Sequence, residues 1–160
     1  MIIMGIDPSS TITGFGLIQD EAGVWRAIHH GCIRTKAART FAEKLEQIFS
    51  GLGEVICSHH PDVVVVERAF SGKNPRTALI MGQVLGVSLL AAARASLPVS
   101  EYSPREVKLA VTGFGSASKE QVQYWVKRLL KLDETSLTRD ASDALAVALC
   151  HANRVEGPEA

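Results

Sequence analysis

Four carboxylates stand where they could do chemistry together. Ile2-Ile3-Met4-Gly5-Ile6 is an apolar run that stops at Asp7, and Val63-Val64-Val65-Val66 is a β-branched run that stops at Glu67. Each reads as a buried strand that carries an acid to its own end, and strand ends bordering a crevice are where α/β sheets bind ligands. Asp140 and Asp143 are three residues apart at the start of an Ala- and Leu-rich helical stretch, so they share a face. The five histidines include the pairs His29-His30 and His59-His60 but no HExxH, and they read as surface or strand residues. An all-oxygen donor set suits Mg²⁺ or Mn²⁺ and not zinc. Two such ions about 4 Å apart can activate a water and stabilise the departing oxygen of a phosphodiester. Taken singly, each acid also has a plainer account. Asp7 before Pro8 can start a turn, Glu67 can be a solvated strand end, and Asp140 and Asp143 favour a helix N-terminus. Spacing alone does not bring them together.

The elements that must position these acids follow from periodicity. Residues 2–6 form a strand, 13–18 a second and 25–35 a third, with residues 20–23 as the turn, which makes an antiparallel meander. From Thr40 onward Phe41, Leu45, Ile48, Phe49, Leu52, Val55 and Ile56 recur at helical spacing, although Gly51 and Gly53 weaken the helix by about 1 kcal/mol each. The valine strand follows Pro61, and the polar loop 71–75 leads into an apolar helix. Residues 99–102 form a short strand. Ser103-Pro104-Arg105-Glu106 and Ser118 with Gln121 are two capping boxes, which open helices at about residues 104 and 119. In the second of these, Val122, Trp125, Val126 and Leu129 are expected to share one face. A last helix covers roughly residues 140–154. A meander followed by alternating helices and strands describes an α/β domain with a mixed sheet.

Composition limits the rest. With 160 residues and 46% hydrophobic content, the chain is expected to form one domain over 1–160, with a short tail from about residue 155. The 17 basic and 17 acidic side chains cancel, so any nucleic-acid contact must come from a local basic surface. Cys32, Cys57 and Cys150 form no CxxC pair, which argues against a disulfide framework or zinc knuckle and for a reducing cytoplasm. Nothing at the N-terminus reads as a signal peptide. Residues 77–93 are uncharged, but they sit at the short edge of spanning length, roughly 17 residues. Gln83 and Ser88 interrupt them, so a buried helix, which a second subunit could share, is the expectation rather than a membrane span.

Basic residues lie near the acids in sequence. Lys73 and Arg76 flank the loop after Glu67, and Arg105 and Lys108 share a helical face. Lys119 falls in the first turn of its helix, where the dipole disfavours a cation, so a phosphate partner would explain it; the plain alternative is a solvated lysine. Phe70 beside the polar loop could unstack a base pair or simply cover the core edge.

Met4-Gly5-Ile6-Asp7-Pro8-x-Ser10 with Thr13-Gly14-Phe15-Gly16 resembles the N-terminal signature of the RuvC family of bacterial Holliday-junction resolvases. Gly31-Cys32-Ile33-Arg34-Thr35-Lys36, Glu67-x-x-Phe70, Lys73-Asn74, Gly82-Gln83, Glu101-Tyr102, Gly115-Ser116-Ala117 and Asp140-Ala141-x-Asp143-Ala144-Leu145-Ala146 follow in family order. The resemblance implies an RNase H-like fold and a homodimer that cuts two symmetric strands of a four-way DNA junction with Mg²⁺ or Mn²⁺. It implies RuvA and RuvB as branch-migration partners. It matches Asp7, Glu67, Asp140 and Asp143 to the catalytic acids, Phe70 to the aromatic that inserts at the junction, and Lys108 and Lys119 to basic residues near the DNA and scissile phosphate. Ser9 departs from the usual glycine, and a side chain there would restrict the turn after Asp7. Three other readings are a nuclease for RNA or RNA–DNA hybrids, a non-catalytic junction-binding module, and an ATP-binding protein of the actin and sugar-kinase type. The last would need a second nucleotide-binding half for which 160 residues leave no room.

Overall fold

The computed structural model of the chain describes residues 1–68, 74–133 and 137–155. Five strands form one sheet in the order β3-β2-β1-β4-β5, with β1 Ile2–Asp7, β2 Ile12–Glu21, β3 Val24–Arg34, β4 Val63–Glu67 and β5 Val99–Tyr102. The first three pair antiparallel, and β4 and β5 add in parallel beside β1. This is the expected mixed sheet. The helices are α1 Phe41–His59, α2 Pro75–Arg94, α3 Pro104–Thr112, α4 Lys119–Leu130 and α5 Arg139–Val155.

Strand alternation divides the core. Ile3, Ile18, Val63 and Val65 face one side, against Val107, Val122, Val126, Leu145 and Leu149 of α3, α4 and α5. Met4, Ile6, Leu17, Val64 and Val66 face the other, against Ile48, Leu52, Val84 and Ala91 of α1 and α2. Both faces of β1 and β4 are covered, which is why these strands read as continuous apolar runs.

Close packing fixes α5. A Cβ on Gly5 would collide with the carbonyl oxygen of Ala144 and come within 2.9 Å of the Ala148 nitrogen. On Gly14 it would collide with the carbonyl of Asp140, and on Gly16 it would reach 2.5 Å from Leu145 Cγ. Gly5 pairs with Gly16 and Asp7 with Gly14 across β1 and β2, so these glycines form a trough for the α5 backbone.

Several details differ from the sequence expectation. The hairpin turn is only Ala22-Gly23, both at positive φ (55° and 82°), because Asp20 and Glu21 pair on into the ladder with Trp25 and Val24. The Asp20 carboxylate accepts the Gly23 N–H at 2.8 Å and closes the turn. Trp125 and Leu129 are 40% and 42% exposed, whereas Val122, Val126 and Leu130 are buried. The core face of α4 is therefore narrower than expected. Helix α1 runs unbroken through Gly51 and Gly53, its Thr40 cap accepting the Glu43 N–H and its core side holding Ile48, Leu52 and Ile56. Both expected capping boxes are formed.

Helix α2 is long and apolar enough by length and composition to cross a membrane, yet it packs on the sheet beside α1 through Val84, Ser88, Ala91 and Ala92. Its opposite face is uncovered. Leu79 and Leu90 are 65% and 52% exposed, and nothing lies within 4 Å of a Cβ built on Gly82 or Gly86. Residues 79, 82, 86 and 90 recur at helical spacing and form one stripe.

Candidate active site

Strand register brings the first two acids together. Ile6 pairs with Val66 in the parallel ladder, so Asp7 and Glu67 continue as neighbours at the ends of adjacent strands. By alternation Ile3, Gly5 and Asp7 point to the α5 face, as do Val63, Val65 and Glu67. Seating the Asp140 carbonyl on Gly14, directly across from Asp7, brings the N-terminal turns of α5 to the same rim. Asp143, one turn in, thereby reaches the pair.

The result is a cavity of about 170 Å³ walled by Asp7, Glu67, Asp143, Lys108, Lys119, Pro104, Val107, Val122 and Ala146. Lys119 Nζ donates to Asp143 Oδ2 at 3.4 Å. Of the four expected acids, three form the wall and Asp140 does not. It stands in the first turn of α5, close enough that its charge acts on Asp7 and Asp143. Of the expected basic residues, Lys108 and Lys119 line the cavity and Arg105 and Arg76 do not; both of these are exposed. Arg76 lies in the first turn of α2, where Asn74 caps the helix by accepting its N–H at 3.0 Å. Phe70 and Lys73 lie outside the described residues.

The turn that holds Asp7 tolerates Ser9. Ser9 is not among the residues at positive φ, so its backbone makes no demand for glycine. Its carbonyl accepts the hydroxyl of buried Thr13 at 2.7 Å, and its N–H donates back to that hydroxyl at 3.3 Å. This reciprocal pair closes residues 9–13 into a fixed turn.

Two further devices hold the surrounding helices. The Thr138 hydroxyl accepts the Ala141 N–H at 3.3 Å and caps α5, and it also meets Cys32 Sγ at 3.2 Å, tying the helix start to β3. Glu106 accepts from the Ser103 N–H and hydroxyl at 2.8 and 2.7 Å and from Arg154 at 2.6 Å, joining the start of α3 to the end of α5. The Ser103 and Arg154 donors hold the Glu106 carboxyl well down, at about 2. Its ionised state is therefore constant, and the contact persists across the working pH range.

The apolar wall and the crowding set the acids' behaviour. The Asp7 pKa is raised to about 7, by burial first and then by the charges of Asp143 and Glu67, against the opposing pull of Lys119. Burial, then Asp143, raise Glu67 against Lys119 and Lys108. Burial raises Asp143 as well, while Lys119 pulls it down. Sequence reasoning missed Pro104, Val107, Val122 and Ala146, the residues that produce this desolvation. The sequence marks Pro104 as a helix start and Val122 as part of a core face, but nothing in it marks these four as the wall of a cavity.

Among the described residues no three His, Cys, Asp or Glu side chains are already drawn tightly enough around one point to hold an ion. The donor chemistry nonetheless fits a divalent cation: three half-buried carboxylates, no thiolate or imidazole in the wall, and a charge burden that two lysines only partly offset.

The sequence pattern of the family described as "Crossover junction endodeoxyribonuclease RuvC" matches residues 3–151. The chain is 50% identical to a crossover junction endodeoxyribonuclease RuvC of Moorella thermoacetica over 96% of this chain and 92% of the relative. It is 48% identical to that of Pelotomaculum thermopropionicum over 96% and 93%. Its fold is similar to a T. thermophilus RuvC in complex with a Holliday junction substrate, at a TM-score of 0.89 and 35% identity, covering 97% of this chain and 94% of the other.

The raised Asp7 pKa has a definite sign. Between the unfolded value, 3.8, and about 7 the folded chain binds the extra proton, so the metal-free protein loses stability as pH rises across that window. The penalty is complete above it and is bounded at roughly 4 kcal/mol. In chelator, Asp7→Asn is expected to stabilise the protein by on the order of 2 kcal/mol at about pH 8 and by nearly nothing at about pH 4. Thermal unfolding across pH checks this, and a gain that is the same at both ends contradicts it.

Proposed function

The chain belongs to the RuvC family of crossover junction endodeoxyribonucleases, and from that membership we propose that it resolves four-way DNA junctions in recombination and repair through Asp7, Glu67 and Asp143. The observation that carries the assignment of residues is their convergence on one cavity wall opposite Lys108 and Lys119. Nucleases of the family are metal-dependent. Here Asp7, Glu67 and Asp143 would hold Mg²⁺ or Mn²⁺, two ions per site, and Asp140 would ligate or orient from the first turn of α5. When bound, the ions supply an activated water and neutralise charge on the leaving oxygen.

The protein's own groups account for the remainder. Hydrolysis adds the water oxygen to phosphorus in line with the P–O3′ bond, which breaks as the 3′-oxygen takes a proton, leaving a 5′-phosphate and a ligatable 3′-hydroxyl. Negative charge grows on the phosphoryl oxygens during this step. Lys119, already at the rim within reach of Asp143, places a cation against that charge, and Lys108 does so from α3. The apolar wall lowers the local dielectric, which strengthens both contacts. Arg76, Arg105 and Lys73 are proposed to track the phosphate backbone, and Phe70 to unstack the branch point. A cytoplasmic setting with the branch-migration proteins RuvA and RuvB belongs to the same proposal, tested by whether they accelerate cutting.

Symmetric cutting needs two sites, and the α2 stripe offers the means. Leu79 and Leu90 are exposed around Gly82 and Gly86, whose missing side chains admit a second backbone. A second copy of the chain is the proposed occupant, giving a homodimer. Leu79→Glu combined with Leu90→Glu should yield a folded monomer by sedimentation and cut the two strands independently. A dimer that survives both charges rules this face out.

On a synthetic mobile junction, cutting should require Mg²⁺ or Mn²⁺ and exceed cutting of an RNA–DNA hybrid. Asp7→Asn should abolish cutting, by at least about a thousandfold, and leave junction binding intact. Retained cutting by that variant removes Asp7 from the mechanism, and tight binding without any metal-dependent product would make the chain a binding module.

A further inference from the structure

The loop between α3 and α4 displays an aromatic that the mechanism does not use. Phe114 is 72% exposed, more than any other large apolar side chain among the described residues. Its backbone is nonetheless fixed. The Phe114 N–H donates to the Thr112 hydroxyl at 3.1 Å, that hydroxyl donates to the Lys108 carbonyl at 2.8 Å, and the Phe114 carbonyl accepts the Ala117 N–H at 3.1 Å. Gly113 ends α3 at φ 80°, and the chain then doubles back along the helix. A Cβ on Gly115 would lie 2.9 Å from Arg105 Cγ, which places the loop against the first turn of α3, next to Pro104 of the cavity wall. Three residues later Ser118 caps α4, whose first residue is Lys119.

The surroundings select what could cover this ring. Arg105, Lys108 and Lys119 flank the loop on two helices in a chain whose net charge is zero. The acids on the same helices are engaged elsewhere, Glu106 by Ser103 and Arg154 and Glu120 by Arg139 at 4.0 Å. Scattered exposed apolar side chains are ordinary on any protein surface. An exposed ring on a fixed backbone, in a loop that lies against Arg105 and runs on to Lys119 of the cavity wall, is placed to meet a nucleobase, whose flat face stacks on an aromatic while cations on the flanking helices hold the phosphates.

We infer that Phe114 is a DNA-contact residue that stacks on an unpaired or splayed base at the branch point, so that it favours a junction over a continuous duplex. Arg105, its stem laid on the Gly115 loop, holds the adjoining phosphate. In a linear duplex the bases stay stacked and the ring has no face to meet. This inference rests on the junction-resolving function proposed above.

The test uses full-length protein carrying Asp7→Asn, which binds without cutting, with Mg²⁺ and two probes: a four-way junction with 2-aminopurine at the branch point, and a linear duplex of one arm's sequence. Phe114→Ala should weaken junction binding roughly tenfold, leave duplex binding within about twofold, and abolish the 2-aminopurine fluorescence change seen with the parent. Phe114→Trp should restore both. Because no charge is removed, the salt dependence of junction binding should stay parallel to the parent's, whereas Lys108→Ala should weaken both substrates and flatten the slope by about one unit. The exposed ring makes Phe114→Ala safe for folding, and an unchanged unfolding midpoint verifies this. Junction binding within about twofold of the parent, or equal losses on both substrates, overturns the inference. A parent that binds the junction no better than the duplex overturns the junction-resolving function itself, and the inference with it.

Discussion

Everything at the site depends on how closely α5 lies on β1 and β2. Gly5, Gly14 and Gly16 carry no side chains, and the backbone of α5 occupies the space that Cβ atoms would take. A helix on a sheet ordinarily rides on a layer of side chains about 10 Å away. Here that layer is interrupted at the three glycines, and the carbonyls of Asp140 and Ala144 sit against the strands themselves. The consequence is lateral as well as vertical. With Gly14 beneath Asp140 and opposite Asp7, Asp143 is brought against the acids ending β1 and β4, and it reaches them with a short side chain from a rigid element.

That placement sets an electrostatic conflict which packing alone cannot relieve. Asp7, Glu67 and Asp143 are all pushed upward in pKa, each chiefly by burial; Asp143 then raises both Asp7 and Glu67, Asp140 raises Asp7 and Asp143, and Lys119 offsets part of the burden on all three. The core supplies the stability that tolerates this: Ile3, Met4, Ile6 and Val63 to Val66 pack on both faces of the two strands concerned. A divalent cation would resolve the conflict, and the same charge density that destabilises the metal-free fold would give such an ion its affinity. In the proposed function substrate recognition falls to Arg105 and Lys108 on α3, which Glu106 and Arg154 tie back to α5, and to Lys119 at the start of α4.

Much of this was legible in the chain. Asp7 and Glu67 were readable because a buried strand written as an unbroken apolar run ends visibly when an acid appears, and the two capping boxes were readable because their side chains act within four residues. What depends on distant contact was not. An i, i+3 spacing treats Asp140 and Asp143 alike, yet only Asp143 enters the cavity wall, because the register of α5 on the glycine trough decides which turn faces Asp7. The trough itself was hidden, since glycine in a strand does not say what approaches it. Trp125 and Leu129 fit the helical period of the core but lie at its edge, beside the narrower buried stripe of Val122, Val126 and Leu130. Ser9 raised a concern that the backbone removes, because its φ is ordinary and Thr13 closes the turn.

The central claim is that burial and crowding raise the Asp7 pKa to about 7, so that a divalent cation held by Asp7 would displace a proton below that pH. Calorimetric titration of Mn²⁺ into the protein at about pH 6.5, in two buffers of different ionisation enthalpy, counts the protons released on binding. Release of close to one proton per chain, lost in Asp7→Asn, is the predicted result. Binding with no proton released, or the same release from both proteins, would contradict it.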